Sequence, residues 1–234
     1  MRTYHDVVQG SREWWKLHLG IPTASNFGRI LTSAKLDYSK GADGYAAELI
    51  AEKLLGRPLD WGVSLNEEGG KLSTIWTERG TDMEEEARKW YAFHRDLDVT
   101  QVGFVTIQEG EIGGSPDGLA GDDGVVEIKC RAAKMHARAM CGVDKTADRL
   151  QTQGYLWLTG RDWVDVVAYN DVLPKRIDRA YRDKTVIDAL TAQVNRFLNE
   201  RDKLATRLAE LGDVIETGDE LTQQLIASIR EGSA

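Results

Sequence analysis

The sequence predicts an α/β fold of the mixed α+β kind, in which a central mixed sheet is flanked by helices. Three observations predict it. The stretch from Val99 to Cys130 is rich in β-branched residues and turn signals. The segments on either side carry apolar residues at helical spacing. A later strand-like run, Trp163 to Tyr169, is reached only through helical sequence, which suits a crossover onto the same sheet.

Taken in order, Ser11 to Leu19 reads as a short amphipathic helix, and Thr23-Ala24-Ser25 after Pro22 offers an N-cap for another reaching about Leu31. Ala42 to Leu55 has helical apolar spacing and stops at Gly56. Leu59 to Thr74 holds Gly62, Gly69 and Gly70 among polar residues and reads as an exposed loop. Helix resumes near Gly80 and runs to about His94, with Ala87, Trp90 and Tyr91 as its buried stripe. Val99 to Ile107, Ile112 to Leu119 and Val125 to Cys130 then form the three strands of an antiparallel meander. Ala132 to Met140 and Ala147 to Leu158 are helical, the second ending at Gly160. Thr185 to Leu211 is a long amphipathic helix and Leu221 to Ile229 a shorter one, expected to pack on the sheet or on another subunit. No repeat or linker divides the chain, so residues 1–234 are expected to form one domain, with a core from about 11 to 170 and C-terminal helices from about 185 to 231.

Composition narrows the function classes. Hydrophobic residues make up 41% and charged residues 29%, with seven Trp and seven Tyr, which excludes a disordered or fibrous chain. No apolar run approaches the ~20 residues of a membrane span, and no signal-peptide stretch follows Met1; a cytoplasmic location with no membrane partner is expected. Cys130 and Cys141 are too few for a disulfide framework and lack zinc-ligand spacing, so both are expected to be reduced and structural. The net charge of −8 runs against a simple basic footprint for nucleic acid. Its distribution is uneven, however: Asp60 to Glu127 holds sixteen acidic residues against five basic, and Gly124 to Arg161 seven basic against three acidic. Carboxylates that hold metal beside a basic wall that holds a polyanion would produce such a division, as would a solvated surface whose charges cluster.

The chemistry is concentrated in Ser115-Pro116-Asp117-Gly118 and Val125-Val126-Glu127-Ile128-Lys129. In an extended strand, Glu127 and Lys129 face one side while Val126 and Ile128 face the core. The Gly121 to Gly124 turn lets a hairpin bring Asp117 beside Glu127. Two close carboxylates make a site for a hard cation. Mg²⁺ takes six oxygens and keeps several waters, which Asp117, Glu127 and the carbonyl of Ile128 complement, with Mn²⁺ as an alternative ion. Lys129 adds an ammonium to orient water and offset charge in a transition state, and together these are the parts needed for phosphodiester hydrolysis. A Glu-x-Lys pair alone would equally suit a surface strand with a cross-face ion pair. The alternating apolar residues and the Pro-Asp-Gly turn at hairpin distance are what favour the site.

These residues resemble the active site of the lambda exonuclease family of phage recombination alkaline exonucleases, within the PD-(D/E)xK nuclease superfamily. Three further motifs agree in order: Trp14-Trp15-Lys16-Leu17-His18-Leu19-Gly20-Ile21-Pro22-Thr23-Ala24-Ser25, Arg79-Gly80-Thr81-Asp82-Met83-Glu84, and Gln151-Thr152-Gln153-Gly154-Tyr155. The resemblance runs from about Trp14 to Gly160 and implies a restriction-endonuclease-like nuclease core. It implies that Asp117 and Glu127 are metal ligands, Lys129 the catalytic lysine, and Glu84 the helix carboxylate supporting the metal. Glu85 and Glu86 adjoin Glu84, and the spacing from Gly80 favours Glu84. Gln151 matches the family's glutamine beside the active site, with Tyr155 one turn away on the same helix face.

Ser25 and Ser115 match residues that would help bind a terminal 5′-phosphate. His18 stands where the family pattern has Arg, so the charge there would titrate near ~6.5 and the preference for phosphorylated ends would weaken with rising pH. Arg12 or Arg29 is the alternative source of that charge. Arg131, Lys134 and Arg138 would suit the backbone of bound DNA or an ordinary charged surface. The implied activity is Mg²⁺-dependent 5′-to-3′ degradation of one strand of linear duplex DNA from its ends, releasing mononucleotides and leaving a 3′ overhang. A homotrimeric ring and a single-strand annealing protein are the implied partners. An endonuclease of the same superfamily and a catalytically idle DNA-binding module are the competing readings.

Overall fold

The computed structural model of the chain describes residues 1–59, 75–145 and 147–210, and of residues 75–82 the backbone alone. The loop expected over Leu59–Thr74 falls almost wholly outside these residues, and the short helix expected over Leu221–Ile229 wholly so.

Helix α1 (Arg12–His18) begins where Ser11 accepts the Trp14 N–H through its hydroxyl, a side-chain N-cap. The helix expected from Thr23 is instead a 3-10 turn, Ala24–Asn26, leading into a single α-turn, α2 (Phe27–Ile30). Its start is held extended by pairing with another segment: Gly113 N donates to Pro22 O, and Thr23 bridges Gly113 in parallel. Helix α3 (Ala42–Leu55) ends at Gly56, whose φ of 64° is the left-handed conformation glycine adopts without strain. Helix α4 (Ile75–Arg95) starts ahead of Gly80 and carries Ala87 and Tyr91 buried.

The expected meander is divided between two sheets. Strand β1 (Arg2–Tyr4) pairs with β3 (Phe104–Ile107), which pairs with β4 (Ile112–Gly114), all antiparallel. Strand β2 (Val99–Thr100) pairs instead with β5 (Gly118–Ala120), the neighbour of β6 (Gly124–Lys129). Two residues enforce the division. The chain threads against the N-terminal segment at Gly103, where a Cβ would lie 1.9 Å from the Val7 carbonyl oxygen. Pro116 has no N–H to give to a ladder, so β4 cannot run on into β5.

From β6 the chain passes through α5 (Ala133–Met140) and α6 (Arg149–Thr159) and returns as β7 (Trp163–Ala168), parallel to β6 as the crossover requires. Strand β8 (Arg176–Tyr181) adds an antiparallel edge and gives the order β2-β5-β6-β7-β8. Long helix α7 (Lys184–Glu210) buries Val186, Leu190, Val194 and Phe197, and Phe197 stacks on Tyr45 of α3 at 5.3 Å.

Both faces of the five-stranded sheet are covered. Val125, Val164 and Val166 join the core under α6 and α7, while Val126, Ile128 and Val167 pack with Ala87 and Tyr91 of α4. On the α4 side Asp165 is fully buried. Arg179 holds it with two hydrogen bonds of 2.7 and 2.8 Å, Tyr91 donates to it at 2.8 Å, and Arg95 lies 3.4 Å away. Among the described residues no helix is long and apolar enough to cross a membrane.

Candidate active site

The linker Ser115-Pro116-Asp117 is where the chain leaves the three-stranded sheet and enters the five-stranded one. Every carbonyl in it is claimed by a side chain from elsewhere. Tyr155 OH donates to Ser115 O at 3.1 Å, Gln9 Nε2 to Pro116 O at 3.3 Å, and Arg88 Nε to Asp117 O at 3.0 Å. Trp14 Nε1 donates to Ser115 Oγ at 2.7 Å and to Gly103 O at 3.1 Å. The linker is therefore fixed from the N-terminal segment, α1, α4 and α6 at once.

Asp117 ends this linker and fills the place of a missing strand. Its N–H donates to Val126 O at 3.1 Å, and its Oδ2 accepts the N–H of Ile128, beyond the point where β5 has stopped. The two hydrogen-bonding groups of one strand residue point the same way, so the Ile128 carbonyl also opens toward the Asp117 side. On β6, Glu127 and Lys129 share the face under α6. Lys129 Nζ contacts Glu127 Oε1, and Gln151 of α6 bridges the pair: its Oε1 accepts from Lys129 Nζ at 3.1 Å and its Nε2 donates to Glu127 Oε1 at 2.9 Å. Asp117 is 9% exposed and Glu127 4%. The structure thus brings together Asp117, Glu127, Ile128, Lys129 and Gln151, and adds Tyr155, which also accepts from Gln151 Nε2 at 3.0 Å.

The electrostatics mark a site short of positive charge. Burial, then the negative charge of Glu127, pushes the Asp117 carboxyl well above its usual range. Glu84, on α4, is also raised, first by burial; Arg88 and Lys129 act against this and Glu127 with it. Burial beside Glu127 and Asp117 raises the Tyr155 phenol, which keeps it a donor. Burial, then the charges of Glu84, Asp117 and Glu86, push the Cys130 thiol up to about 12, an inert thiol. Among the described residues no three His, Cys, Asp or Glu side chains cluster closely enough to hold an ion by themselves. Two hard carboxylates and a carbonyl still fit Mg²⁺, which retains much of its water. They do not suit an ion that demands a cage of nitrogen or sulfur.

The other expected site residues are dispersed. Ser25 is exposed, but the adjoining Ala24 lies against the backbone at Gly114 and Gly154, so Ser25 and Ser115 neighbour residues that touch. His18 differs most from expectation. Its ring lies 3.7 Å from that of Trp14 and 4.2 Å from that of Phe104, with Nδ1 2.8 Å from Trp14 O. Burial lowers its pKa to about 4 in spite of the Trp14 carbonyl, so the charge change expected near ~6.5 is displaced into acid. Arg29 is engaged by both carboxylate oxygens of Glu48 and lies over Tyr45. Arg131 donates to Lys145 O, Arg138 pairs with Asp144 through two bonds, and Lys134 is exposed on α5. Gln9 and Arg88 were not readable as site residues, because each reaches the linker over a long sequence separation, and Trp14 was marked only as the first residue of the N-terminal motif.

Against this geometry, residues 13–162 match the YqaJ-like viral recombinase domain. The fold is similar to the crystal structure of an alkaline exonuclease, LHK-Exo, from Laribacter hongkongensis. That match is 31% identical with a TM-score of 0.69, covering 86% of this chain and 97% of that one. The structure of LHK-Exo in complex with dAMP matches at 32% identity and a TM-score of 0.70, with the same coverage. A phage-related exonuclease from Haemophilus somnus 129PT, at 17% identity and a TM-score of 0.55 over 80% of this chain and 96% of that one, shares the fold. No curated protein sequence gives a significant match.

Proposed function

Because the chain belongs to the YqaJ-like viral recombinase domain family, which is lambda exonuclease-like, we propose that it degrades one strand of linear duplex DNA from the 5′ end, with Mg²⁺ held at Asp117 and Glu127. At the coarser level it is a mixed α/β enzyme, a DNA exonuclease of the phage recombination type. The observation that carries the finer reading is the meeting of Asp117, Glu127 and Lys129 at the linker that also bears Ser115.

Asp117, Glu127 and the Ile128 carbonyl would hold Mg²⁺, with Mn²⁺ as a substitute and Glu84 supporting the site from α4. When bound, the ion would polarise the scissile phosphate and acidify the attacking water. Lys129, kept in place by Gln151, orients that water and offsets charge that develops on the phosphate. Ser115 and Ser25 offer hydroxyls to a terminal phosphate, and Arg12 supplies charge that a neutral His18 does not. Arg131, Lys134 and Arg138 lie on the basic stretch suited to the DNA backbone, with Arg138 exchanging Asp144 for phosphate. The mononucleotide dAMP bound in a similar structure supports release of mononucleotides here, leaving a 3′ overhang for recombination.

The resemblance to the lambda exonuclease family implies a closed ring of three copies of the chain, and the net charge of −8 agrees with it, because a single acidic subunit would hold DNA weakly unless basic surfaces converged on it. A single-strand annealing protein is the partner that would use the overhang. The test is digestion of linear and closed-circular duplex with and without Mg²⁺, alongside light scattering. Degradation of linear DNA alone, only with metal, and by a particle of three chains is expected. Cutting of closed circles would replace this reading with an endonuclease, and a monomer that digests without dissociating would remove the ring.

A further inference from the structure

One hydrogen-bonded line joins the end-binding side of the site to its chemistry. Trp14 Nε1 donates to Ser115 Oγ, and the Ser115 carbonyl accepts from Tyr155 OH. The Tyr155 oxygen accepts from Gln151 Nε2, and the Gln151 amide grips both Glu127 Oε1 and Lys129 Nζ. Chemistry fixes the direction of each bond. An ammonium has only hydrogens to give, so Gln151 must turn its oxygen to Lys129, and its two N–H bonds then go to Glu127 and Tyr155. Tyr155 has one hydrogen; the Ser115 carbonyl accepts it at 3.1 Å, with Glu127 also within its hydrogen-bonding reach. The Tyr155 side chain cannot swing away, since the residue is 3% exposed and its Cε1 lies 3.2 Å from where a Cβ on Gly114 would stand. Moving Ser115 therefore disturbs the hydrogen bond that orients Gln151, and Gln151 orients the lysine.

We propose that Tyr155 is a positioning residue that couples terminal-phosphate binding at Ser115 to the placement of Lys129 and Glu127. The inference rests on the reading of Ser115 as a phosphate ligand. A phosphorylated end would then accelerate the chemical step as well as tighten binding, because the phosphate draws on the Ser115 hydroxyl while Tyr155 holds its carbonyl.

The test is single-turnover release of the first nucleotide from 5′-phosphoryl and 5′-hydroxyl duplexes over a range of enzyme concentrations, for the wild type and Tyr155→Phe. In the wild type the phosphorylated end should react faster at saturation by roughly fivefold to tenfold, the rate equivalent of one neutral hydrogen bond. In Tyr155→Phe that advantage should vanish, while tighter binding of the phosphorylated end, which Ser115 still provides, remains. An advantage at saturation that survives in Tyr155→Phe, including one where both ends slow equally, overturns the coupling and leaves the Ser115 reading standing. No phosphate effect of any kind in the wild type overturns both. Should Tyr155→Phe lack a native melting transition, a double-mutant cycle of Ser115→Ala and Gln151→Ala decides the matter. Their effects on the phosphorylated-end rate should be coupled by a similar factor, and independent effects overturn the proposal.

Discussion

Asp117 occupies, with its carboxylate, the hydrogen-bonding position that a strand would otherwise fill opposite Ile128. Charge and main-chain support are thus carried by one side chain, and two substitutions separate them. Asp117→Asn keeps an oxygen for the Ile128 N–H and removes the charge; Asp117→Ala removes both. Each should lower cleavage by ~10²-fold to 10³-fold, the scale of one lost electrostatic contribution, and each should weaken Mg²⁺ binding measured by calorimetry. Their stabilities should differ. Asp117→Ala leaves a buried N–H unpaired, at a cost of about 1–3 kcal/mol. Asp117→Asn should melt at or above the wild type without metal, because burial and Glu127 hold the native carboxyl above its usual range. The sign follows from that direction: a raised carboxyl makes the native state less favourable as pH rises past the ordinary Asp range, so the gain from Asn should be clear at pH 8 and fade toward pH 4. A metal-free Asp117→Asn that melts well below the wild type at pH 8 would contradict the charge crowding.

Lys129→Ala should also cost ~10²-fold to 10³-fold in rate. Mg²⁺ affinity should not fall, because lysine is no magnesium ligand. Near-normal cleavage with a native melting curve would remove Lys129 from the chemistry.

His18 carries a prediction about pH. With its pKa at about 4 the imidazole is neutral from pH 6 to pH 8.5, so any preference for 5′-phosphoryl ends should be flat across that range. Stability should change instead in acid. A lowered histidine pKa contributes stability that is present above the unfolded value of ~6.5 and is lost as pH falls through it toward 4. His18→Gln should therefore flatten the decline in melting temperature between pH 7 and pH 4. If the phosphate preference rises toward pH 6 and His18→Ala abolishes that rise, the imidazole is charged and in contact with the end.

The carboxylate of Asp165 depends on its arginine. Arg179→Met leaves a fully buried charge with Tyr91 and the more distant Arg95, and should destabilise the fold by about 3 kcal/mol in chemical denaturation. Adding Asp165→Asn should recover most of that loss. Failure of the second change to restore stability would locate the effect of Arg179 in its packing over the Trp163 ring, 3.6 Å away.

Helices α3, α5, α6 and α7 and the parallel return of β7 were legible because each is marked locally, by apolar periodicity, a glycine stop or a β-branched run. The Asp117, Glu127 and Lys129 set was legible for a similar reason, since a hairpin and a strand period bring it together. Strand β1 was missed because three residues carry no pattern, and β8 because its sequence, Arg176-Ile177-Asp178-Arg179-Ala180-Tyr181, is charged in the manner of an edge. The division of the meander depends on Val7 meeting Gly103 across the fold, a contact no local window contains. The clamp around Ser115 has the same character. Trp14 acts from 101 residues away and Tyr155 from 40, and only the folded chain makes them neighbours.

That reach has a consequence for how the protein is made. Strand β1 finds its register against β3, Arg2 opposite Thr106, and Gln9 closes on Pro116 just beyond it. The segment that steadies the Ser115-Pro116-Asp117 linker is thus synthesised about a hundred residues before anything it can hold. At ~5–20 residues per second it would wait on the order of 5 to 20 s for its partner. Until then it is an unpaired segment with the apolar side chains of Trp14 and Trp15 close behind it, and the cluster of Glu127, Lys129 and Gln151 cannot form before the ribosome has passed the helix that brings Gln151.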